Sequence, residues 1–293
     1  MTGAPAGPRP PASGPPPVPF GARLAAAVAA TGPLCLGIDP SAALLDAWGL
    51  PDDPSGLRRF ALRCVEAVAG VLPAVKPQVA FFERHGAAGY AALEEVLAAC
   101  RGAGLLAVAD AKRGDIDSTA AAYGDAWVGS GPLAADAVTV HPYLGLDALR
   151  PLLDTAWATG RGVFVVVRSS NAEGRSVQEA VGSSGDTVAD ALLRQVAALN
   201  AARSEHPGSV GAVVGATLEP SAFPLASLGG PILAPGVGAQ GATASDVAVR
   251  FAGCAAGTVL PSASRSVLAA GPSAAALRRA AASLRDEIAA GWA

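Results

Sequence analysis

The chain has 293 residues, 51% hydrophobic and only 15% charged, with 24 acidic residues against 21 basic ones. That is ample material for one large α/β domain or two small ones, and the near-balance of charge gives no electrostatic footprint for nucleic acid or a membrane surface. No apolar run reaches transmembrane length; four scattered cysteines without a C-x-x-C pair and three separated histidines suggest neither a disulfide framework nor a metal centre, so a reduced, cytoplasmic setting without metal is expected.

In chain order, residues 1–19, "MTGAPAGPRPPASGPPPVP", are Pro-rich and lack a continuous apolar signal core, so they read as a disordered tail before a domain spanning 20–293. Short apolar, often β-branched runs then alternate with Ala/Leu-rich amphipathic stretches. The runs are "LCLGID" (34–39), "AVKPQVAFF" (74–82), "LLAVADAK" (105–112) and "AVTVH" (137–141). They continue as "GVFVVVRSS" (162–170), "VGAVVGAT" (210–217), "PILAPGVG" (231–238) and "GTVLPSAS" (257–264). Helices are expected near 56–71, 84–101, 116–130, 145–159, 184–203 and 241–251. The 219–228 connection has room for one or two turns, and a closing helix follows Ser273 as its N-cap.

Strands alternating with helices imply a parallel sheet, and eight units in about 270 residues match a single-domain (β/α)8 TIM barrel. A doubly wound sheet is the structural rival. The barrel gains from the strand ends, which finish in Asp39, Lys76 with Gln78, Asp110 with Lys112, His141, Ser170, Thr217, Gly236 to Gln240, and Ser264 with Arg265. In a barrel these converge on the C-terminal mouth, where active sites sit.

Asp110, Lys112, Arg113, Asp115 and Asp117 crowd into eight residues at the end of a buried-looking strand, a costly placement unless the charges pair or work. Asp110 and Lys112 stand two apart, so both point to one face, and Arg113 points to the other. Asp115 begins a turn or helix and is a candidate cap. Lys76, on the preceding strand, completes an alternating Lys–Asp–Lys–Asp set; a structural ion network at the barrel mouth is the alternative. Lys76 and Lys112 are also the chain's only lysines, against 19 arginines (21 less 2). Chance is one reading; the other is a site that needs a compact ammonium able to give up a proton.

"GVGAQG" (236–241) fits G-x-G-x-x-G, but it follows the seventh strand, and no acidic residue lies about 20 positions on, as a dinucleotide site would require. A phosphate cradle at a helix start fits better, with Gly238 and Gln240 in the loop and Arg265 as a bidentate clamp. A glycine-rich turn with a surface arginine is the alternative. His141 reads as structural, and Ser170 serves either a ligand amide or a turn.

"DAKRGDI" (110–116) resembles the D-x-K-x-x-D-I signature of orotidine 5'-monophosphate decarboxylase. "LCLGIDP", "VKPQVAFFERHG", "VTVHPYLG", "RSSN", "APGVGAQGA" and "SASRS" resemble, in order over 34–266, motifs of that family's longer bacterial form. The resemblance implies a dimeric barrel with two sites at the interface, no cofactor, and conversion of orotidine 5'-monophosphate to uridine 5'-monophosphate and CO2 in pyrimidine synthesis. It implies that Lys76, Asp110 and Lys112 form one subunit's charge network, while Asp115, with Ile116 and Thr119, comes from the other. Asp39 would contact the ribose, Ser170 the pyrimidine, and Gly238, Gln240 and Arg265 the phosphate. Ala172 stands where the long form usually has proline after "SN". Related sugar-phosphate decarboxylases and synthases share D-x-K-x-x-D but use Mg2+ and an acidic residue in place of Lys76. A non-catalytic phosphate-ligand barrel is the reading from another class.

Overall fold

The structure, a computed structural model, describes residues 16–219, 222–239 and 241–292. Eight strands close in sequence order into one parallel barrel, which excludes the doubly wound sheet. They are β1 (Cys35–Ile38), β2 (Ala74–Pro77), β3 (Leu106–Arg113), β4 (Ala137–Val140), β5 (Gly162–Arg168), β6 (Val210–Val214), β7 (Ile232–Pro235) and β8 (Val259–Ala263). The helices are α1 (Phe20–Thr31), α2 (Ala42–Ala47), α3 (Pro54–Val68), α4 (Val79–Glu83), α5 (Gly86–Gly102) and α6 (Asp117–Val128). They continue as α7 (Arg150–Ala158), α8 (Arg175–Gln178), α9 (Val188–Ala201), α10 (Ala244–Arg250), α11 (Arg265–Leu268) and α12 (Ala274–Gly291). Among its described residues the β6–β7 connection holds a 3-10 turn at Leu225–Leu228, and Ser273 caps α12 by accepting from Ala276 N.

The period of two along each strand sorts side chains into two shells. Cys35, Ala74, Leu106, Val108, Ala137, Phe164, Val213, Leu233 and Leu260 fill the barrel interior, whereas Leu36, Val75, Ala107, Val138 and Val165 pack outward under the helices. The same alternation, continued one step toward the C-terminal ends, turns Gly37, Lys76, Asp110 and Thr139 inward at the mouth. One expectation changes here. The run 74–82 is not all strand: β2 stops at Pro77, and Val79 and Phe82 are buried on the short helix α4. Past Pro77 the chain has reached the mouth and must turn outward.

The helix α1 was not legible as a separate element, yet it closes the other end. Phe20, Leu24 and Val28, spaced by four, are buried against the interior residues, and the Phe20 ring meets Phe164 edge-on at 5.8 Å. A Cβ on Gly162 would lie 2.2 Å from the Phe20 ring, so glycine there makes room for the plug. Arg23 ties the helix down through Asp136 and through Gly160 O at 3.1 Å. Residues 16–18 are exposed and precede the plug, while residues 1–15 of the expected tail lie outside the described residues.

Phe20→Ala should therefore cost about 3–5 kcal/mol, the range for emptying a buried phenylalanine site, seen as a lowered denaturation midpoint. A chain starting at Phe20 should match the full chain, because the tail's composition cannot bury apolar surface. Equal stability for Phe20→Ala, or unfolding on loss of 1–19, would contradict this division.

Candidate active site

Asp110 organises the mouth. Its Oδ2 accepts from Lys76 Nζ at 2.8 Å and from Gln78 Nε2 at 2.9 Å. Its Oδ1 accepts from Lys112 Nζ at 2.6 Å and from Thr139 Oγ1 at 2.8 Å. A carboxylate has about four lone-pair sites, and all are taken. Lys76 and Asp110 are each 7% exposed, so neither charge could be buried alone. Burial pushes the Asp110 carboxyl up, but the Lys76 and Lys112 ammoniums outweigh it and hold it well below the usual carboxylate range. Burial likewise works against the Lys76 ammonium, and Asp110 and then Asp39 reverse that, so it stays charged. The Lys112 side chain is 40% exposed and lines the cavity while its ammonium stays bonded to Asp110.

Lys112 reaches this position by a route that simple alternation does not describe. The β3–β4 register shifts between Ala109 and Arg113, and Lys112 adopts a φ of +47°. Its N–H leaves the ladder and donates to Thr139 Oγ1 at 3.0 Å. Thr139, 1% exposed, thus supports both Asp110 and Lys112.

A cavity of about 280 Å³ opens above this cluster. Asp39, Lys76, Asp110, Lys112, Ser170 and Arg265, all expected site residues, line it together. So do Gln78 and Ser264, which the sequence placed at the mouth without a role, and Thr139 and Ser169, to which it gave none. Among the described residues the buried Asp39 Oδ1 and Ser264 Oγ have no hydrogen-bond partner, as polar atoms are where a ligand completes them. Arg265 is exposed at the start of α11 and makes no ion pair with a described residue, leaving a free guanidinium at the rim.

The glycine-rich loop differs from expectation in one respect. Helix α10 begins only at Ala244, and its first turn is closed by a capping box between Thr243 and Asp246, so it is not an open anion cradle. The loop instead folds on itself: Gly238 N donates to Ala242 O at 2.9 Å and Gly241 N to Gly238 O at 2.8 Å. Gly236, Val237 and Ala239 line the cavity. Gly238, at φ +76°, has no Cβ to meet Ser266 Oγ, which would lie 2.8 Å away, and so lets the loop seat against α11. Gln240 lies outside the described residues.

Asp115, Ile116 and Thr119 do not line this chain's cavity. Asp115 Oδ1 accepts from the adjacent Ile116 N at 2.8 Å and caps no first-turn amide of α6, which corrects its reading as a helix cap. Ile116 is 49% exposed, and Thr119 is exposed beside it. His141 follows β4, its N–H donating to Arg113 O at 2.8 Å; burial and then the Lys112 charge lower its pKa.

Such a barrel, with a lysine–carboxylate–lysine cluster at one side of its mouth and a glycine loop with Arg265 at the other, carries its polar site at the C-terminal mouth, as enzymes of the (β/α)8 class do. Residues 32–280 match the Orotidine 5'-phosphate decarboxylase / HUMPS family, and the chain belongs to it. It is 54% identical over 263 residues to an orotidine 5'-phosphate decarboxylase of Salinispora arenicola, covering 89% of this chain and 94% of that one. The Salinispora tropica enzyme of the same name is 52% identical over the same shares. A crystal structure of a candidate orotidine 5'-phosphate decarboxylase from Streptomyces avermitilis superposes with a TM-score of 0.90 at 50% identity, covering 94% of this chain and 96% of that one.

The depressed Asp110 pKa has a testable consequence. A carboxyl lowered on folding adds stability that is complete above its unfolded value and is lost as pH falls through the folded one. The stability difference between the native chain and Asp110→Asn should stay constant from pH 7 to about 5 and narrow below about pH 4, where an unfolded aspartate protonates. Denaturant titrations across that range read it. A gap that already closes between pH 7 and 5 would mean that Asp110 is not held ionised.

Proposed function

We propose that this chain converts orotidine 5'-monophosphate to uridine 5'-monophosphate and CO2 in pyrimidine biosynthesis. The observation that carries this reading is Lys76 on Asp110: the second cation at Asp110 is a protein ammonium, where the family's sugar-phosphate branch has an acidic residue and Mg2+. Loss of CO2 breaks the C6–carboxylate bond and leaves the electron pair on C6, which the ring delocalises poorly. The Lys112 ammonium stabilises that charge as it forms and then transfers its proton to C6, and the resulting amine is reprotonated from solvent. An arginine would hold that proton too tightly. Asp110 keeps Lys112 aimed, and Lys76 offsets the excess negative charge. At the other end Arg265 takes the phosphate, Asp39 the ribose and Ser170 the pyrimidine, so binding energy far from C6 orients the reacting carbon.

The site is shared between two copies of the chain, with Asp115, Ile116 and Thr119 entering the partner's mouth. Exposed apolar side chains support a partner on this face: Ile116 at 49%, Tyr143 at 84% and Leu144 at 56%. Their two loops touch at Gly114, where a Cβ would come 2.3 Å from His141 O. The four cysteines are free, three of them buried, which supports a reducing cytoplasm. Among the described residues no helix is long and apolar enough to cross a membrane, and the balanced charge gives no ground for a nucleic-acid partner.

The deciding experiment follows loss of orotidine 5'-monophosphate by absorbance, with and without EDTA. Turnover that is unchanged by EDTA is expected. Turnover abolished by EDTA and restored by Mg2+ would favour the sugar-phosphate branch, and binding without turnover would favour a silent barrel.

Sharing of the site is tested by mixing two inactive variants. Lys112→Ala chains exchanged with Asp115→Ala chains should recover part of the activity, because one of the two mixed sites receives both residues intact. No recovery after proven subunit exchange would return Asp115 to its own chain's site.

A further inference from the structure

Lys112 sits on backbone that needs holding. Its φ of +47° lies in the left-handed region that β-strand residues with a side chain rarely enter, and the ladder is shifted at that point. From inside the barrel, Thr139 and Asp110 hold its amide and its ammonium. From outside, the next residue reaches back across it. Arg113 Nη1 donates to Ala111 O at 3.0 Å, bridging over Lys112, and Arg113 Nη2 donates to Glu83 Oε1 at 2.7 Å and to Tyr90 Oη at 3.3 Å. Tyr90 Oη in turn donates to Glu83 Oε1 at 2.8 Å. The guanidinium lies 6.0 Å from the Tyr123 ring centre and 5.7 Å from that of Trp127. The Arg113 carbonyl accepts from His141 N at 2.8 Å, so the residue is anchored at both its backbone and its side chain.

We propose that Arg113 is a positioning residue for the reaction: its guanidinium clamps the Ala111 carbonyl from outside the barrel, holds the left-handed turn at Lys112, and so sets where the Lys112 ammonium points. Glu83 and Tyr90 on α4 and α5 hold the clamp, coupling two outer helices to the reacting centre. The planar fork matters, because a lysine at 113 can pair with Glu83 but cannot also span Ala111 O and lie over the Tyr123 and Trp127 rings. The inference rests on the reading of Lys112 as the group that stabilises and protonates C6.

The test uses the full chain with Arg113→Ala and Arg113→Lys. Each is measured for kcat, KM, affinity for uridine 5'-monophosphate, melting temperature, and amide hydrogen exchange over residues 110–114. A small misplacement of a catalytic group costs up to about 100-fold in rate. Arg113→Ala should thus lower kcat about 10- to 100-fold, with KM and product affinity within about 3-fold of the native values, and should speed exchange at Lys112. Arg113→Lys should recover part of kcat; should the alanine variant not fold, the lysine variant still shows the split, as a reduced kcat at unchanged KM. A lower melting temperature with kcat intact would make Arg113 purely structural and overturn the proposal, as would kcat and product affinity falling together. Should the native chain lack orotidine turnover, the functional reading fails. The exchange rates still decide the clamp: unchanged exchange at Lys112 in Arg113→Ala would overturn it.

Discussion

The Asp110 carboxylate is the interaction on which the mouth of the barrel depends. Two ammoniums, an amide and a hydroxyl converge on its two oxygens, from β2, from the turn after β2, from β3 and from β4. Each partner needs it. Without Asp110, Lys76 would be an uncompensated buried cation, Gln78 and Thr139 would lose an acceptor, and Lys112 would be free to swing. Buried ion pairs are poor general devices for stability, since their desolvation offsets most of their attraction. What such a cluster supplies is fixed geometry at atoms that solvent would otherwise rearrange, and electrostatic catalysis requires that.

The barrel produces this convergence by repetition of one rule. Inward positions of each strand carry apolar side chains through the middle and polar ones at the last inward step, so the bottom is dry and the top is ionic. At the dry end α1 covers the interior with Phe20, Leu24 and Val28. The thiol of Cys35 shows how steep the change is. It lies one inward step below the mouth, and its burial pushes its pKa up to about 12 despite the Lys76 charge nearby. Lys112, by contrast, stands at the mouth and lines the cavity.

Much of this was legible in the sequence because burial writes period-two patterns, and the eight runs lie where the eight strands do. The expected helices were found with shifted ends. Asp39, Lys76, Asp110 and Ser170 fall in one cavity because they continue the inward positions of their strands, which the runs already implied, and Lys112 and Arg265 join them from the shifted end of β3 and the start of α11. Other features were hidden for identifiable reasons. Helix α1 follows a Pro-rich stretch and has no side-chain cap, so nothing announced its start. Thr139 stands inside "AVTV", where a β-branched residue reads as strand filler and its hydroxyl carries no positional signal. The cap of α10 was legible in "TASD", but the glycines before it drew the helix start forward to 241. The left-handed turn at Lys112 had no signal, because lysine is not a residue that φ > 0 selects. Its amide is satisfied by a tertiary bond to Thr139, and on the proposed reading the Arg113 clamp on Ala111 O helps hold it.

The charge balance of the mouth accounts for lysine standing at only two positions of the chain. On the proposed reading, this chain brings Lys76 and Lys112 against Asp39 and Asp110, a formally neutral set before ligand arrives. A substrate with a phosphate and a carboxylate adds negative charge at both ends of the cavity. Arg265, which makes no ion pair with a described residue, can meet the phosphate at the rim. At the reacting end no spare cation waits, because Asp110 already engages both ammoniums. The substrate carboxylate therefore enters a region whose positive charge is committed, and a partner aspartate would make that region more negative still. Departure of neutral CO2 relieves the crowding, while the charge left on C6 falls beside an ammonium that is held in place and able to yield its proton. Arginine satisfies the first of those requirements at the rim; only lysine satisfies the second at the centre.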